Sequence, residues 1–129
     1  MANGFSDYLE NAILNATLRG VAYTSPATVY VALFTSDPTD AATGTEVSGG
    51  AYARQAITFG APSAGTCSNS ADVLFPIATA AWGTVTHIGI FDAASGGNLL
   101  YSAALTTSKT IAADDQLKLA TGAVTVTLD

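Results

Sequence analysis

The sequence predicts a mainly β protein, either a β-sandwich or a jelly-roll-like barrel of about seven short strands, with one N-terminal α-helix. Several runs of β-branched and aromatic residues alternate with period two and are separated by turns rich in Gly, Thr and Ser. One segment near the start has the i, i+3, i+4, i+7 apolar spacing of a helix instead. We therefore expect one domain over residues 1–129, with a helix over 5–19 and the sandwich over about 28–128.

The helix is predicted from signals at both of its ends. Ser6 can cap the N-terminus, and two acidic residues lie in the first turn, where the helix dipole favours anions. Gly20 can adopt the left-handed conformation that ends a helix. The apolar face of the helix is formed by Leu9, Ala12, Ile13 and Ala16. If the helix packs on the sheet, this apolar face becomes part of the core and Tyr8 faces outward.

Period-two patterns then predict the strands in order. Residues 28–34 are apolar on both faces, which is typical of a central strand, and Asp37 and Pro38 turn the chain after it. Loops are expected over 40–50 and 60–70. The remaining strands are predicted over 52–59, 72–77, 84–91, 99–105, 116–120 and 124–128. Pro76 indicates that the strand over 72–77 lies at an edge or ends there. Gly96 and Gly97 lie in the 92–98 turn, so 84–105 is expected to form a hairpin.

Composition excludes several classes of partner. Only 11% of the residues are charged, the net charge is −6, and the four basic residues are dispersed. A nucleic-acid or anionic-membrane partner requires clustered cations, so neither is expected. The sequence has no apolar run of about 18 residues, and its start lacks the pattern of a signal peptide, so cytoplasmic synthesis is expected. A sparsely charged surface rich in Thr, Ser and Ala has a small desolvation penalty against another protein, although an ordinary Thr-rich β domain fits equally well.

The sequence offers little for catalysis or cofactor binding. It has one His and one Cys, which is too few for a zinc site, and no Gly-x-Ser-x-Gly motif. His87 lies between apolar neighbours and is read as structural, and Cys67 is read as a passive loop thiol. Asp37, Asp40 and Glu46 lack the alternation of a calcium loop. We therefore predict no catalytic residue, no metal, no cofactor and no small-molecule substrate.

Protein contact is the expected use of the remaining distinctive residues. Arg54 either forms an intramolecular ion pair, which is the first expectation, or contacts a partner. Trp82 is either a core residue between the sheets or an interface anchor. The loops 36–50 and 60–70 are further candidates for contact. The candidate interaction residues are Phe5, Tyr8, Asp37, Glu46, Tyr52, Arg54 and Trp82.

Four stretches of the chain are distinctive when taken together: residues 5–11, 29–39, 43–55 and 87–100. They resemble a family of small virion structural proteins of tailed bacteriophages. Members of this family are labelled tail-fibre, head-fibre or capsid-associated proteins. The resemblance implies a structural role in many copies per particle, and it brings no catalytic residues.

Two roles in the particle follow as expectations. The first is a capsid decoration (cement) protein on the phage head, which binds the major capsid protein and itself as a dimer or trimer. The chain is small, sparsely charged and without repeats or heptads, unlike a fibre shaft. The second is a tail-fibre or baseplate accessory with receptor or glycan contact, and an exposed aromatic cluster in a groove would favour it. A small hydrolase, the third and least expected class, would require an acid–base pair in a deep pocket.

Overall fold

The computed structural model describes residues 3–128 and confirms the predicted class: mainly β, sandwich-like, with one helix near the N-terminus. Met1, Ala2 and Asp129, which belong to the predicted domain over 1–129, lie outside the described residues. The single-domain assignment itself stays a prediction. The described part contains these elements: β1 Asn3–Phe5, α1 Asp7–Leu18, β2 Val29–Phe34, β3 Gln55–Ile57, β4 Thr66–Ser68, β5 Val73–Leu74, β6 Gly83–Phe91, β7 Leu99–Ile111, β8 Lys118–Leu119 and β9 Thr125–Thr127.

The strands form one larger sheet and two short ribbons. The sheet has five strands in the order β1-β7-β6-β2-β3, and every neighbouring pair is antiparallel. The ribbons pair β4 with β9 and β5 with β8, also antiparallel. The ribbons join chain segments that are distant in sequence, since Thr66 lies opposite Thr127 and Val73 opposite Leu119.

The main core combines residues of the sheet with residues of the ribbon region. Val31 and Leu33 of β2 are completely buried and belong to the same cluster as Phe75, Leu117 and Val124. The alternate β2 residues join a second cluster, with Phe91 and Leu99. Strand β2 is therefore central and apolar on both faces, as the sequence predicted. The sheet and the ribbon region therefore pack against each other as two layers around a shared buried core.

Helix α1 is confirmed, with shifted ends and a smaller buried face than expected. It begins at Asp7 behind the N-cap Ser6, whose side chain accepts a hydrogen bond from the Leu9 backbone N–H at 3.1 Å. Phe5 lies in β1 rather than in the helix, because its backbone pairs with Tyr101 of β7. Leu9 is buried, but Ala16, predicted as core, is exposed. Gly20 has φ +67°, as its predicted left-handed role requires.

One strand prediction and one loop prediction need correction. The strand predicted over 52–59 is limited to Gln55–Ile57, so Tyr52 and Arg54 lie in the connection before β3. The loop predicted over 60–70 contains β4, so Cys67 lies on a strand, where it pairs with Val126. Strands 72–77, 116–120 and 124–128 are present but shortened. β1 was not predicted at all.

The predicted hairpin is confirmed, but its second strand is longer and irregular. β7 continues to Ile111. Between two paired positions β6 advances two residues, from Val85 to His87, whereas β7 advances five, from Lys109 to Ala104. Residues 105–108, four residues opposite Thr86 alone, form a bulge in β7, and bulges bend a strand and hinder pairing at its edge.

Candidate functional site

Arg54 is the centre of a buried polar network, which we call the Arg54 clamp: Arg54, Glu46, Tyr52 and the turn residues Ala93 and Gly96. The guanidinium group donates two hydrogen bonds to the Glu46 carboxylate, from Nε to Oε2 at 2.9 Å and from Nη2 to Oε1 at 2.8 Å. Its Nη1 donates to the Ala93 carbonyl at 3.0 Å and the Gly96 carbonyl at 2.8 Å. The clamp therefore ties the 40–50 loop to the turn of the β6–β7 hairpin.

Burial and stacking make the clamp more than a surface ion pair. The Arg54 side chain is only 8% exposed, and its guanidinium lies 3.7 Å from the centre of the Phe91 ring. Stacking on an aromatic ring and bidentate pairing are geometries that suit arginine and not lysine. The predicted intramolecular ion pair of Arg54 is thus present.

Tyr52 connects the clamp to the central strand. Its hydroxyl accepts a hydrogen bond from the Leu33 backbone N–H at 3.0 Å and donates one to Glu46 Oε2 at 2.7 Å. Because β3 pairs with β2 only as far as Val31, this hydroxyl supplies the partner for a buried N–H that the neighbouring strand does not reach. Burial and the bond to Glu46 both raise the pKa of the phenol, so Tyr52 stays protonated and acts as a donor.

The charges of the clamp stabilise each other. Burial by itself raises the pKa of the Glu46 carboxyl, but the hydrogen bonds from Arg54 and Tyr52 outweigh burial and hold this pKa below its ordinary value. The hydrogen bond to Glu46 likewise raises the pKa of Arg54. The clamp is therefore a satisfied, internally neutralised network and not a reactive acid–base pair.

Trp82 belongs to the core next to the clamp. Its side chain is in the buried cluster, and its ring meets the rings of Tyr52 and Phe75 edge-on, with centroids 5.5 and 6.4 Å apart. Its Nε1 donates to the Gly50 carbonyl at 2.8 Å. Gly50 has φ +57°, and a Cβ there would lie 2.8 Å from the Ala80 carbonyl oxygen. Of the two positions expected for Trp82, core residue or interface anchor, the structure shows the core position.

The structure divides the seven predicted interaction residues into two groups. Glu46, Tyr52 and Arg54 come together in the clamp, with Trp82 beside it. The other three are separate. Phe5 packs edge-on against Tyr101, Tyr8 is 42% exposed on α1, and Asp37 accepts a hydrogen bond from the Thr39 backbone N–H at 2.9 Å, as its turn role predicted. Whether any of the seven contacts another protein stays a prediction.

Sequence reasoning missed a groove beside α1, which we call the helix groove. One wall is a stripe of the helix and the other is the segment that follows it, and the volume between them is about 450 Å³. The helical stripe could not be recognised from the sequence, because two of its residues are asparagines and it has no apolar period. Tyr23, on the other wall, lies in no predicted element. The lining residues are Tyr8, Asn11, Ala12, Asn15, Val21, Ala22, Tyr23 and Thr24.

The residues considered for catalysis are not assembled into a nucleophilic site. His87 is half-buried, and its Nδ1 is hydrogen-bonded to the Thr86 hydroxyl at 2.8 Å. Cys67 instead lines a separate apolar cavity of about 250 Å³, among residues such as Phe59 and Leu100. Within residues 3–128, no group of three or more His, Cys, Asp or Glu residues is placed to hold a metal ion. The described chain also contains no helix long and apolar enough to cross a membrane.

Comparison with known proteins identifies the family. The search of curated proteins finds no match. A family model described as "Podophage GP4 fiber I protein gp80" matches residues 4–127, which is nearly the whole chain and includes the clamp and the helix groove. The chain therefore belongs to the podophage GP4 fiber I protein gp80 family, a family of phage virion structural proteins.

Proposed function

We propose that this chain is a non-enzymatic fibre component of a phage particle, held in place by contacts with neighbouring protein subunits. The observation that carries the proposal is the family match over residues 4–127 to a fiber protein. The fold is consistent with it, because the Arg54 clamp, a partly buried polar cluster, uses its hydrogen bonds to fix loops of this chain. A rigid scaffold with neutral-polar surfaces suits repeated protein contact.

Subunit contact is proposed to involve the C-terminal end of α1. Leu14 and Leu18 are four residues apart on the helix and are 54% and 76% exposed. Large apolar side chains grouped on one element are typical of interaction surfaces. The proposed occupant is a second copy of this chain, since the resemblance to phage structural proteins implies many copies of it in each particle.

Light scattering after size-exclusion chromatography tests the self-contact. We expect the wild-type chain to form a dimer or trimer at micromolar concentration, and Leu18→Ser to shift it at least tenfold toward the monomer. Leu74→Ser is the matched control, because Leu74 is 53% exposed but lies on β5. A monomer at all accessible concentrations, or equal effects of the two variants, would contradict the proposed contact.

Cryo-electron microscopy of the particle tests the location. We expect density that fits this two-layered fold, with its one helix, within a fibre. Antibody labelling of intact particles gives a second readout, which should decorate fibres and leave the head unlabelled. Density on the head shell only would overturn the fibre assignment.

A second candidate is capsid decoration, in which the chain binds the major capsid protein on the head surface. The compact fold favours it, since the strands of residues 3–128 all belong to one sheet and two ribbons, and this part of the chain contains no repeated or elongated shaft. Burial of area across capsid subunits would stabilise the shell by linkage. Purified chain added to undecorated heads should then raise the temperature at which they release DNA, whereas a fibre component should leave it unchanged.

A further inference from the structure

The helix groove has a regular construction. Tyr8, Asn11, Ala12 and Asn15 are spaced i, i+3, i+4, i+7, so they lie in one stripe along α1. After the helix, Gly20 reverses the chain with φ +67°. The Val21 backbone N–H then donates to the Asn15 carbonyl at 3.1 Å, which brings residues 21–24 back along the stripe as a second wall.

One of the two amides in the groove has a fixed orientation. Arg19 Nη1 donates to Asn15 Oδ1 at 2.8 Å, so the carbonyl end of this amide is occupied and its NH₂ end is left to donate. Asn11, one turn earlier, is exposed. The stripe thus presents amide donors and acceptors at a spacing of about one helical turn, roughly 5–6 Å.

Two tyrosines supply flat apolar surface next to these amides. Tyr8 is 42% exposed and Tyr23 is half-buried. Burial raises the pKa of Tyr23, and the nearby Tyr8 and Asp92 raise it further, so the Tyr23 hydroxyl remains a neutral donor. Tyrosine combines an apolar ring with a polar tip, and none of the lining residues carries a formal charge.

We propose that the helix groove is a binding site for a neutral carbohydrate. The C–H face of a sugar ring would stack on a tyrosine ring, and its hydroxyl groups would bond to the amides of Asn11 and Asn15 and to Thr24. The volume of about 450 Å³ lies within the range of roughly 300–1,000 Å³ of small-molecule sites. No lining residue is charged, and the two nearby charges are engaged within the chain, Arg19 with Asn15 and Asp92 with Asn98, so we expect a neutral sugar in preference to an acidic one. Use of the groove for host-surface attachment rests on the proposed fibre role, whereas sugar binding itself is a property of the isolated chain.

A glycan array of bacterial surface oligosaccharides, probed with the purified chain, tests the proposal. We expect binding to neutral glycans and not to their sialylated or uronic-acid counterparts. The strongest neutral oligosaccharide is then titrated by NMR, where the side-chain amides of Asn11 and Asn15 should shift. For an open groove we expect a dissociation constant on the order of 0.1–1 mM.

Matched variants separate the groove from the rest of the helix. Tyr8→Ala and Asn11→Ala should each weaken binding at least tenfold while circular dichroism stays unchanged, because both side chains are exposed. Glu10→Gln, an exposed residue on the same helix that belongs neither to the groove lining nor to the proposed subunit contact, should bind as the wild type does.

Several outcomes would overturn the site. They are an array without neutral-glycan binding, a preference for acidic glycans, or binding that the Tyr8 and Asn11 variants leave intact. These outcomes are independent of the fibre assignment. A chain seen within fibres that binds no glycan overturns the groove alone, whereas a chain that binds neutral glycans but lies on the head overturns only the fibre placement.

Discussion

At the scale of single residues, two ion pairs in residues 3–128 illustrate how burial changes the contribution of an ion pair to stability. Arg54 and Glu46 are 8% and 26% exposed and share two hydrogen bonds, whereas Lys118 and Asp72 are 55% and 52% exposed and lie 3.5 Å apart. Exposed pairs contribute little because water screens them. Breaking a buried pair leaves a charge without its partner in a poorly solvated place.

The clamp gives the first prediction. Arg54→Lys keeps the charge but loses the planar fork, the contact with Phe91 and at least one of the two turn carbonyls. We expect the free energy of unfolding to fall by about 2–3 kcal/mol, measured by urea denaturation. Lys118→Met is the control and should leave the urea midpoint unchanged. Similar midpoints for the two variants would show that the clamp is no more important than a surface pair.

The lowered pKa of Glu46 gives a prediction about pH. Because folding lowers this pKa, the unfolded chain binds a proton more readily, so the stabilisation is fully present above the ordinary value of 4.5 and is lost as pH falls through the folded-state pKa. Glu46→Gln removes this contribution. The difference in free energy of unfolding between wild type and variant should therefore be largest near pH 7 and shrink below about pH 4.

Urea denaturation at a series of pH values from 3 to 7 measures this difference. Glu10→Gln, an exposed carboxyl on α1, controls for the loss of one acidic group. A gap between wild type and Glu46→Gln that is constant over the whole range would mean that the carboxylate form of Glu46 is not what stabilises the fold.

At the scale of elements, helix α1 is joined to the sheet mainly at its beginning. Ser6 is 2% exposed, and its hydroxyl donates to the Leu99 carbonyl on β7 while accepting from the Leu9 backbone N–H. Ser6→Ala removes both bonds, so we expect a loss of about 1–2 kcal/mol. Hydrogen exchange should show faster exchange at α1 amides, with β6 unaffected. Ser95→Ala, in an exposed turn, is the control, and equal exchange at α1 would contradict this role for Ser6.

The elements also show what the sequence could and could not predict. The helix and the β6–β7 hairpin were predicted because their signals are local: a cap, a period and a turn rich in glycine. β4 has three residues and is a strand because it pairs across the chain with β9, Thr66 with Thr127. β9 was predicted from its own period, within the strand over 124–128, but no local period marks β4, so β4 was predicted as loop.

The candidate sites follow the same rule. An ion pair of Arg54 was the first expectation because a lone arginine within a strand pairs with an acid or faces solvent or a partner, but the sequence did not indicate which acid. Glu46 is its partner because the 40–50 loop returns beside the sheet, with Phe34 bridged to Glu46. The helix groove could not be predicted from the sequence for a related reason, because Tyr23 faces the helix only after Gly20 reverses the chain.

At the scale of the whole molecule, neutral hydroxyl pairs replace surface charge. Thr84 lies across from Thr110, and Ser68 from Thr125, with their hydroxyl oxygens 3.0 Å apart in each pair. Such cross-strand pairs favour the sheet without any ionic group. They explain how a chain with 11% charged residues covers its strands with polar atoms. They also explain why its surface has a small desolvation penalty when it contacts another protein.

The two layers depend on each other for stability. The ribbons pair two or three residues per strand, and an isolated two-stranded ribbon is at best marginal in water. Phe75, which is completely buried, comes directly after β5 and packs against Tyr52 and Trp82. The aromatic cluster therefore joins the ribbon region to the segment that carries the Arg54 clamp.

This interdependence predicts that the chain unfolds as one cooperative unit. Fluorescence of Trp82, the one tryptophan, reports on the cluster, whereas far-ultraviolet circular dichroism reports on the sheet, and we expect the two thermal transitions to coincide. A domain of this size should unfold with an enthalpy of about 90 kcal/mol, equal by calorimetry and by van't Hoff analysis. Phe75→Leu should lower the free energy of unfolding by about 1–2 kcal/mol and move both transitions together, because the lost contacts are shared by both layers. Separated transitions, with Trp82 melting first, would mean that the ribbons fold on the sheet as an independent unit and that the aromatic cluster does not couple them.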